Sequence, residues 1–141
     1  MPAIADITIS KSPESVWSVI ADPSSHPHWL SQDFVTEYDS ELAEGMKFTR
    51  RSKQTGESMV GEVVAVRPAR FLKVRVDFPD EAFAVTEYHL VPVAGGCALR
   101  AIYEVFDTGS ARHAYFPDLA EQQLQAGLER LRSYCERPIP R

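Results

Sequence analysis

Cysteine is scarce in this 141-residue chain: Cys97 and Cys135 are the only two, with no metal-like spacing. They support neither a disulfide framework nor a cysteine-rich metal site, and they read as reduced thiols. Long apolar runs are missing too, none approaching the roughly 18 to 20 residues that a membrane span needs. The opening MPAIADITIS has no basic region leading into an apolar stretch. Nothing there reads as a secretory signal, so a cytoplasmic location is expected. Positive charge is in deficit, with 15 Lys and Arg against 20 Asp and Glu and a net charge of −5. A field of that sign repels phosphate backbones, so no nucleic-acid partner is expected. G-x-G-x-x-G, phosphate-loop and G-x-S-x-G motifs are absent, and no repeat or low-complexity stretch divides the chain. What remains is a chain 44% apolar and 25% charged, which fits one domain over residues 1–141 with a real core.

Periodicity supplies the element order. Ala5, Ile7 and Ile9 alternate with Asp6, Thr8 and Ser10, which predicts a half-buried strand. Ser12 as N-cap, Pro13 at the first helical position and Val16, Trp17 and Ile20 at helical spacing predict a short helix. PSSHPHWLS is too proline-rich for more than a turn or one short helix ending at Trp29. Six strands follow near 34–39, 46–53, 58–67, 70–78, 84–92 and 97–106, separated by turn-forming segments such as QTGE, RPAR and VAGG. A helix from about Pro117 to Glu136 closes the chain. Its apolar stripe includes Leu119, Ala120, Leu124, Gly127, Leu128, Leu131 and Cys135.

Turn positions then set registers, and registers set faces. A hairpin centred between Pro68 and Ala69 pairs Ala65 with Leu72, Val63 with Val74 and Gly61 with Val76 on an apolar face. Its other face pairs Glu62 with Arg75. The Thr55–Gly56 turn puts Met46, Phe48, Arg50 and Ser52 on the inner side. A hairpin centred on Ala94–Gly95 pairs Leu90 with Leu99, Tyr88 with Ala101 and Thr86 with Tyr103. Both inner faces share one side only if the connection around Pro79–Ala82 has odd length or a bulge. Arg50, Ser52, Thr86, Tyr88 and Tyr103 thus interrupt an apolar wall, and Gln123 borders the helix stripe. Either Arg50 escapes to solvent near its turn, or the interior holds water, a carboxylate or a ligand for it. Gly127 either permits close packing or leaves room.

Several segments resemble a known family. ITISKSPESVWSVIADP, HWL, LAEGMKF, YHLVPVAGGCAL and AGLERLRSY are similar to the START-like, or SRPBCC, superfamily with the Bet v 1 helix-grip fold. The nearest branch is the polyketide cyclase/dehydrase-like lipid-transport group. The resemblance implies an α+β fold in which a curved seven-stranded antiparallel sheet wraps a long C-terminal helix. Two short helices lie between the first two strands, and an apolar cavity holds a small hydrophobic ligand. Position by position, Trp29 matches an aromatic near the cavity mouth and Trp17 the aromatic of the first helix. Gly127–Leu128 match a Gly-aromatic pair in which Leu here replaces a frequent Trp.

Combined with the inner-wall reading, this makes Trp29, Phe48, Arg50, Val63, Val74, Tyr88, Tyr103, Gln123, Leu124 and Gly127 the expected ligand-binding residues. The expected function is binding a lipid-like, polyketide-like or aromatic molecule. One alternative is a polyketide cyclase or dehydratase, with Arg50 polarising a carbonyl and Tyr88 or Tyr103 as general acid. Another is an interaction module resembling the Hsp90 activators, which would go with a filled core and an exposed apolar patch. No catalytic set can be aligned. His26-Pro-His28, with Asp22 and Asp33 nearby, meets no metal-site spacing, so both histidines read as loop-surface residues and neither metal nor cofactor is expected.

Overall fold

Strand alternation organises the fold. A computed structural model describes residues 2–30, 34–78, 81–106 and 117–138, with side chains of the last helix described from residue 121 on. Strand β1 (Ala3–Ile9) buries every second residue. Helix α1 (Pro13–Ile20) begins where Ser12 Oγ accepts from the Ser15 amide, and it buries Val16 and Ile20. A single 3₁₀ turn (Pro23–Ser25) leads into the four-residue helix α2 (His26–Trp29). Strands β2 (Phe34–Tyr38), β3 (Lys47–Ser52), β4 (Ser58–Arg67), β5 (Phe71–Asp77), β6 (Phe83–Val93) and β7 (Gly96–Phe106) follow, then helix α3 (Pro117–Glu136).

The seven strands form one antiparallel sheet in the order β1-β7-β6-β5-β4-β3-β2. Only β1 pairs out of sequence order, closing against β7, while two short helices sit between β1 and β2. This is the α+β helix-grip fold. Helix α3 lies against β1 and α2. Glu136 accepts from the Ser10 amide and Gln125 donates to the Asp6 carbonyl, tying both halves of the helix to the first strand. Ile9, Val16, Ile20, Leu90, Leu99, Leu128 and Leu131 are almost wholly buried and form the closed end of the core. Among the described residues, no helix is long and apolar enough to cross a membrane.

The registers follow the turns. All the pairs expected across β6 and β7 occur, including Leu90 with Leu99 and Thr86 with Tyr103. Five residues separate Asp77 from Phe83, an odd count that keeps Val74 and Val76 on the same face as Thr86 and Ala84. One pairing differs. The β4–β5 ladder holds the expected register at Gly61–Val76 and Val63–Val74, then slips by one residue between Val63 and Ala65. Val66, not Ala65, therefore sits opposite Leu72. A β-bulge of this kind adds one residue to one strand and increases its twist, and the four-residue turn Arg67–Arg70 takes up the difference. Glu62 does lie opposite Arg75, but each finds another partner: Lys47 for Glu62 at 2.7 Å and Asp77 for Arg75 at 2.9 Å.

Of the helix stripe, Leu128 and Leu131 are buried, and Leu124 and Cys135 are half-buried against the core. Leu119 and Ala120 lie outside the described side chains.

Two glycines separate packing from vacancy of side chain. The Phe48 ring lies over Gly61, so a Cβ there would come within 2.1 Å of it. At Gly127 a Cβ would meet its nearest neighbour, the Trp29 carbonyl, at 3.6 Å, an ordinary contact. Gly61→Ala should therefore cost about 1 to 3 kcal/mol through overpacking. Gly127→Ala should stabilise by up to about 1 kcal/mol, the helix-interior difference between the two residues. Urea unfolding of both variants checks this pair of signs.

Candidate functional site

The inner face of the sheet changes character along its length. Rows containing Leu90 and Leu99 are apolar and closed, whereas the row Thr36–Arg50–Met59 lies near an open end. Between this end and the helices is a cavity of about 750 Å³, within the size range of small-molecule sites. Strands β2 to β4 contribute Phe34, Thr36, Arg50 and Met59 to its wall, and the far strands contribute Val76, Ala84, Thr86 and Tyr103. His26, Leu30, Gln123, Ala126 and Arg130 close it from the helix side. A tight cleft of only about 20 Å³ adjoins it, lined by Trp29, Phe48, Val74 and Tyr88 and sharing His26, Leu30 and Arg50 with it.

The ten residues expected from sequence are therefore spread over three environments. Arg50, Tyr103 and Gln123 stand on the cavity wall. Trp29, Phe48, Val74 and Tyr88 line the cleft with Arg50. Val63 is buried in the core, Leu124 packs against it, and Gly127 abuts the Trp29 carbonyl. Trp29 is 2% exposed rather than at a mouth; its indole donates to Ser25 Oγ at 3.0 Å and its ring meets His26 and Tyr88 edge-on.

Three buried side-chain atoms have no hydrogen-bond partner among the described residues: His26 Nδ1, Thr36 Oγ1 and Arg50 Nε. All three residues line the one cavity. Leaving such an atom unpaired typically costs about 1 to 3 kcal/mol. Arg50 makes no ion pair either; its guanidinium lies 5.2 Å from the Phe48 ring centroid. Burial lowers its pKa, and the nearby Tyr88, Tyr38 and Tyr103 oppose that shift. The same burial raises the phenols, Tyr38 and Tyr88 up to about 12. Arg50 as a whole is half-buried, while its Nε is fully enclosed. The charged end is thus desolvated at a cavity wall, not free at the surface.

His26 departs from its expected surface position and is 6% exposed. Helix α2 sets His26 and Trp29 three residues apart, on one face, and turns both inward. The His26 Nε2 lies 3.1 Å from the Ile20 carbonyl, which assigns Nε2–H as donor and leaves Nδ1 as an acceptor. His28 is exposed and stacks on Tyr134. Asp33 lies outside the described residues. Thr36 was missed because the β2–β3 register was not read from the sequence, and His26 because its proline-rich segment reads as a surface loop. Once β2 is aligned on β3, Thr36 falls directly opposite Arg50.

A larger, more open groove of about 930 Å³ runs past Asp6, His89, Arg100 and Gln125. Its Asp6 and Arg100 satisfy one another, Arg100 donating to both Asp6 carboxylate oxygens. The enclosed cavity, with its unpaired groups, is the stronger candidate.

Comparison with known proteins agrees with the geometry. The family described as polyketide cyclase/dehydrase and lipid transport matches residues 5–136. No curated protein matches the chain. Among solved structures, protein MLL2253 from Mesorhizobium loti is 23% identical, with a TM-score of 0.79 over 99% of this chain and 100% of that one. The Aha1 dimer from Colwellia psychrerythraea is 13% identical, with a TM-score of 0.72 over 96% of each chain. Ara h 8.0201 is 10% identical, with a TM-score of 0.73 over 96% of this chain and 97% of that one. Likeness at these identities concerns the fold.

Burial holds the His26 imidazole down at about 4, the Ile20 carbonyl opposing this and the Arg50 charge reinforcing it. The folded pKa lies below the unfolded one, so protonation favours the unfolded chain. The contribution of His26 is complete above about pH 7 and is lost as the pH falls towards 4. Between pH 7 and 4.5 the wild-type protein should lose about 2 to 3 kcal/mol more stability than His26→Gln. Urea midpoints at the two pH values measure the difference; equal losses would place the imidazole in water.

Proposed function

The chain belongs to the polyketide cyclase/dehydrase and lipid transport family, and from that premise we propose that it binds a small, largely apolar molecule in the cavity between sheet and C-terminal helix. The observation that carries this is the convergence of His26, Thr36 and Arg50, each with an unpartnered buried polar atom, on one cavity of about 750 Å³. Leu30, Phe34, Met59, Val76 and Ala84 supply apolar wall, worth about 25 cal/mol per Å² of ligand surface removed from water. The unpaired groups orient a polar head: Arg50 donates, His26 Nδ1 accepts, and Thr36 does either.

Binding is preferred over catalysis because the residues named as general acid are poorly suited to it. Tyr88 lies outside the larger cavity and Tyr103 on its wall, and burial raises both phenols, Tyr88 to about 12, which makes them reluctant proton donors. A pure interaction module would go with a filled core, and a cavity of this size argues for a bound molecule instead.

N-phenyl-1-naphthylamine, a neutral dye that brightens in apolar surroundings, should bind saturably at one site. Ala126→Trp, which fills the cavity from its α3 wall, should abolish the signal while leaving circular dichroism unchanged. No saturable binding to folded wild-type protein would contradict the proposal, as would full binding to the filled variant.

A further inference from the structure

The charges around the cavity run against those of the whole protein. The chain carries a net charge of −5, yet the cavity wall holds two arginines, Arg50 and Arg130, and among its described residues no aspartate or glutamate. Arg130 Nε donates to the Trp29 carbonyl at 3.1 Å, which fixes the side chain across the α2–α3 contact without neutralising it. Among the described residues Arg50 has no hydrogen-bond or ion-pair partner, and the groups whose fields reach it are Tyr88, Tyr38 and Tyr103. His26 adds no charge near neutral pH, since it is held as neutral imidazole. Three cationic side chains on the outer face of the sheet, Lys47, Arg75 and Arg100, each pair with a carboxylate within 3 Å.

A desolvated guanidinium gains most from an ionised acceptor, because a charge-assisted pair is shorter and roughly twice as strong as a neutral one. A neutral head would leave its charge uncompensated in the low-dielectric interior. A dianion has less to gain: beyond Arg50, the one other cation described on the wall, Arg130, already spends a donor on backbone.

We propose, building on the small-molecule binding above, that the ligand is a monoanion: an apolar body carrying one carboxylate, which pairs with Arg50 on the cavity wall. His26 Nδ1 and Thr36 Oγ1 then receive any hydroxyl that the body bears beside the carboxylate. The site selects charge by a local cation inside an acidic protein, so the preference belongs to Arg50 and not to the overall field.

The test uses the full chain and matched probes, 2-naphthoate and 2-naphthamide, which differ in the charge of the head. Their affinities are read by displacement of N-phenyl-1-naphthylamine at pH 7. Naphthoate should bind about ten- to a hundredfold more tightly than the amide, the range for a hydrogen bond to a charged group. Arg50→Gln should collapse that ratio towards one while the neutral dye keeps its affinity within about twofold. Arg50→Lys should retain part of the ratio. Arg75→Gln removes the same charge from the outer face, and it should leave the ratio unchanged. Equal binding of acid and amide by wild-type protein, with the dye bound, overturns the monoanion and leaves small-molecule binding standing. An acid preference that survives in Arg50→Gln overturns it too. Failure of the dye to bind at all removes both.

Discussion

The arrangement of the inner face depends on one constraint: a guanidinium held in a desolvated position without a counter-ion among the described residues. Arg50 occupies the central strand of the row Thr36–Arg50–Met59, and burial disfavours its charge. Arginine does not relieve such strain by losing a proton. The site must therefore supply polarity by other means, and the tyrosine phenols and the Phe48 ring are the groups it offers. None of these carries a compensating charge near neutral pH. Desolvating an unpaired ion costs several kcal/mol, and the hydrophobic rows behind it offset that cost.

Those rows explain why the strain is tolerated. The closed end packs Ile9, Leu90, Leu99, Leu128 and Leu131 with almost no exposure, and α3 is anchored there through Ser10 and Glu136. At about 1.5 to 3 kcal/mol for each fully buried large aliphatic side chain, this cluster provides the stability that the open end spends. The bulge between Val63 and Ala65 raises the local twist of β4. Gly61, covered by Phe48, brings β3 and β4 side chains into close packing between the two ends.

Much of this was legible in the chain. Strand positions, the β6–β7 register and the inward face of β3 follow from alternation and turn chemistry, because a one-residue slip would turn an entire apolar face to water. That logic turns Arg50 and Tyr103 inward, and the helix stripe places Gln123 at its border; all three line the cavity. The β4–β5 bulge was not legible, since Val64, Ala65 and Val66 are all small and apolar and alternation cannot choose among them. His26 was misplaced because proline-rich, histidine-bearing segments usually belong to loops; tertiary packing of a four-residue helix against Ile20 and Trp29 overrode that expectation. Thr36 needed the partner strand's register, which the weakly patterned stretch before β3 does not supply from sequence. An aromatic at the end of a short helix fits a mouth and a core equally well from sequence, and Trp29 is 2% exposed.

The central claim is that Arg50 serves a ligand and not the fold. The most direct measurement is the unfolding free energy of Arg50→Met, taken from urea denaturation at pH 7 without added ligand. A guanidinium with no internal partner contributes nothing that methionine cannot replace, so stability should stay the same or rise by about 1 to 4 kcal/mol. A loss of about 3 to 5 kcal/mol would mean that the charge completes a buried ion pair. Arg50 would then be a structural residue.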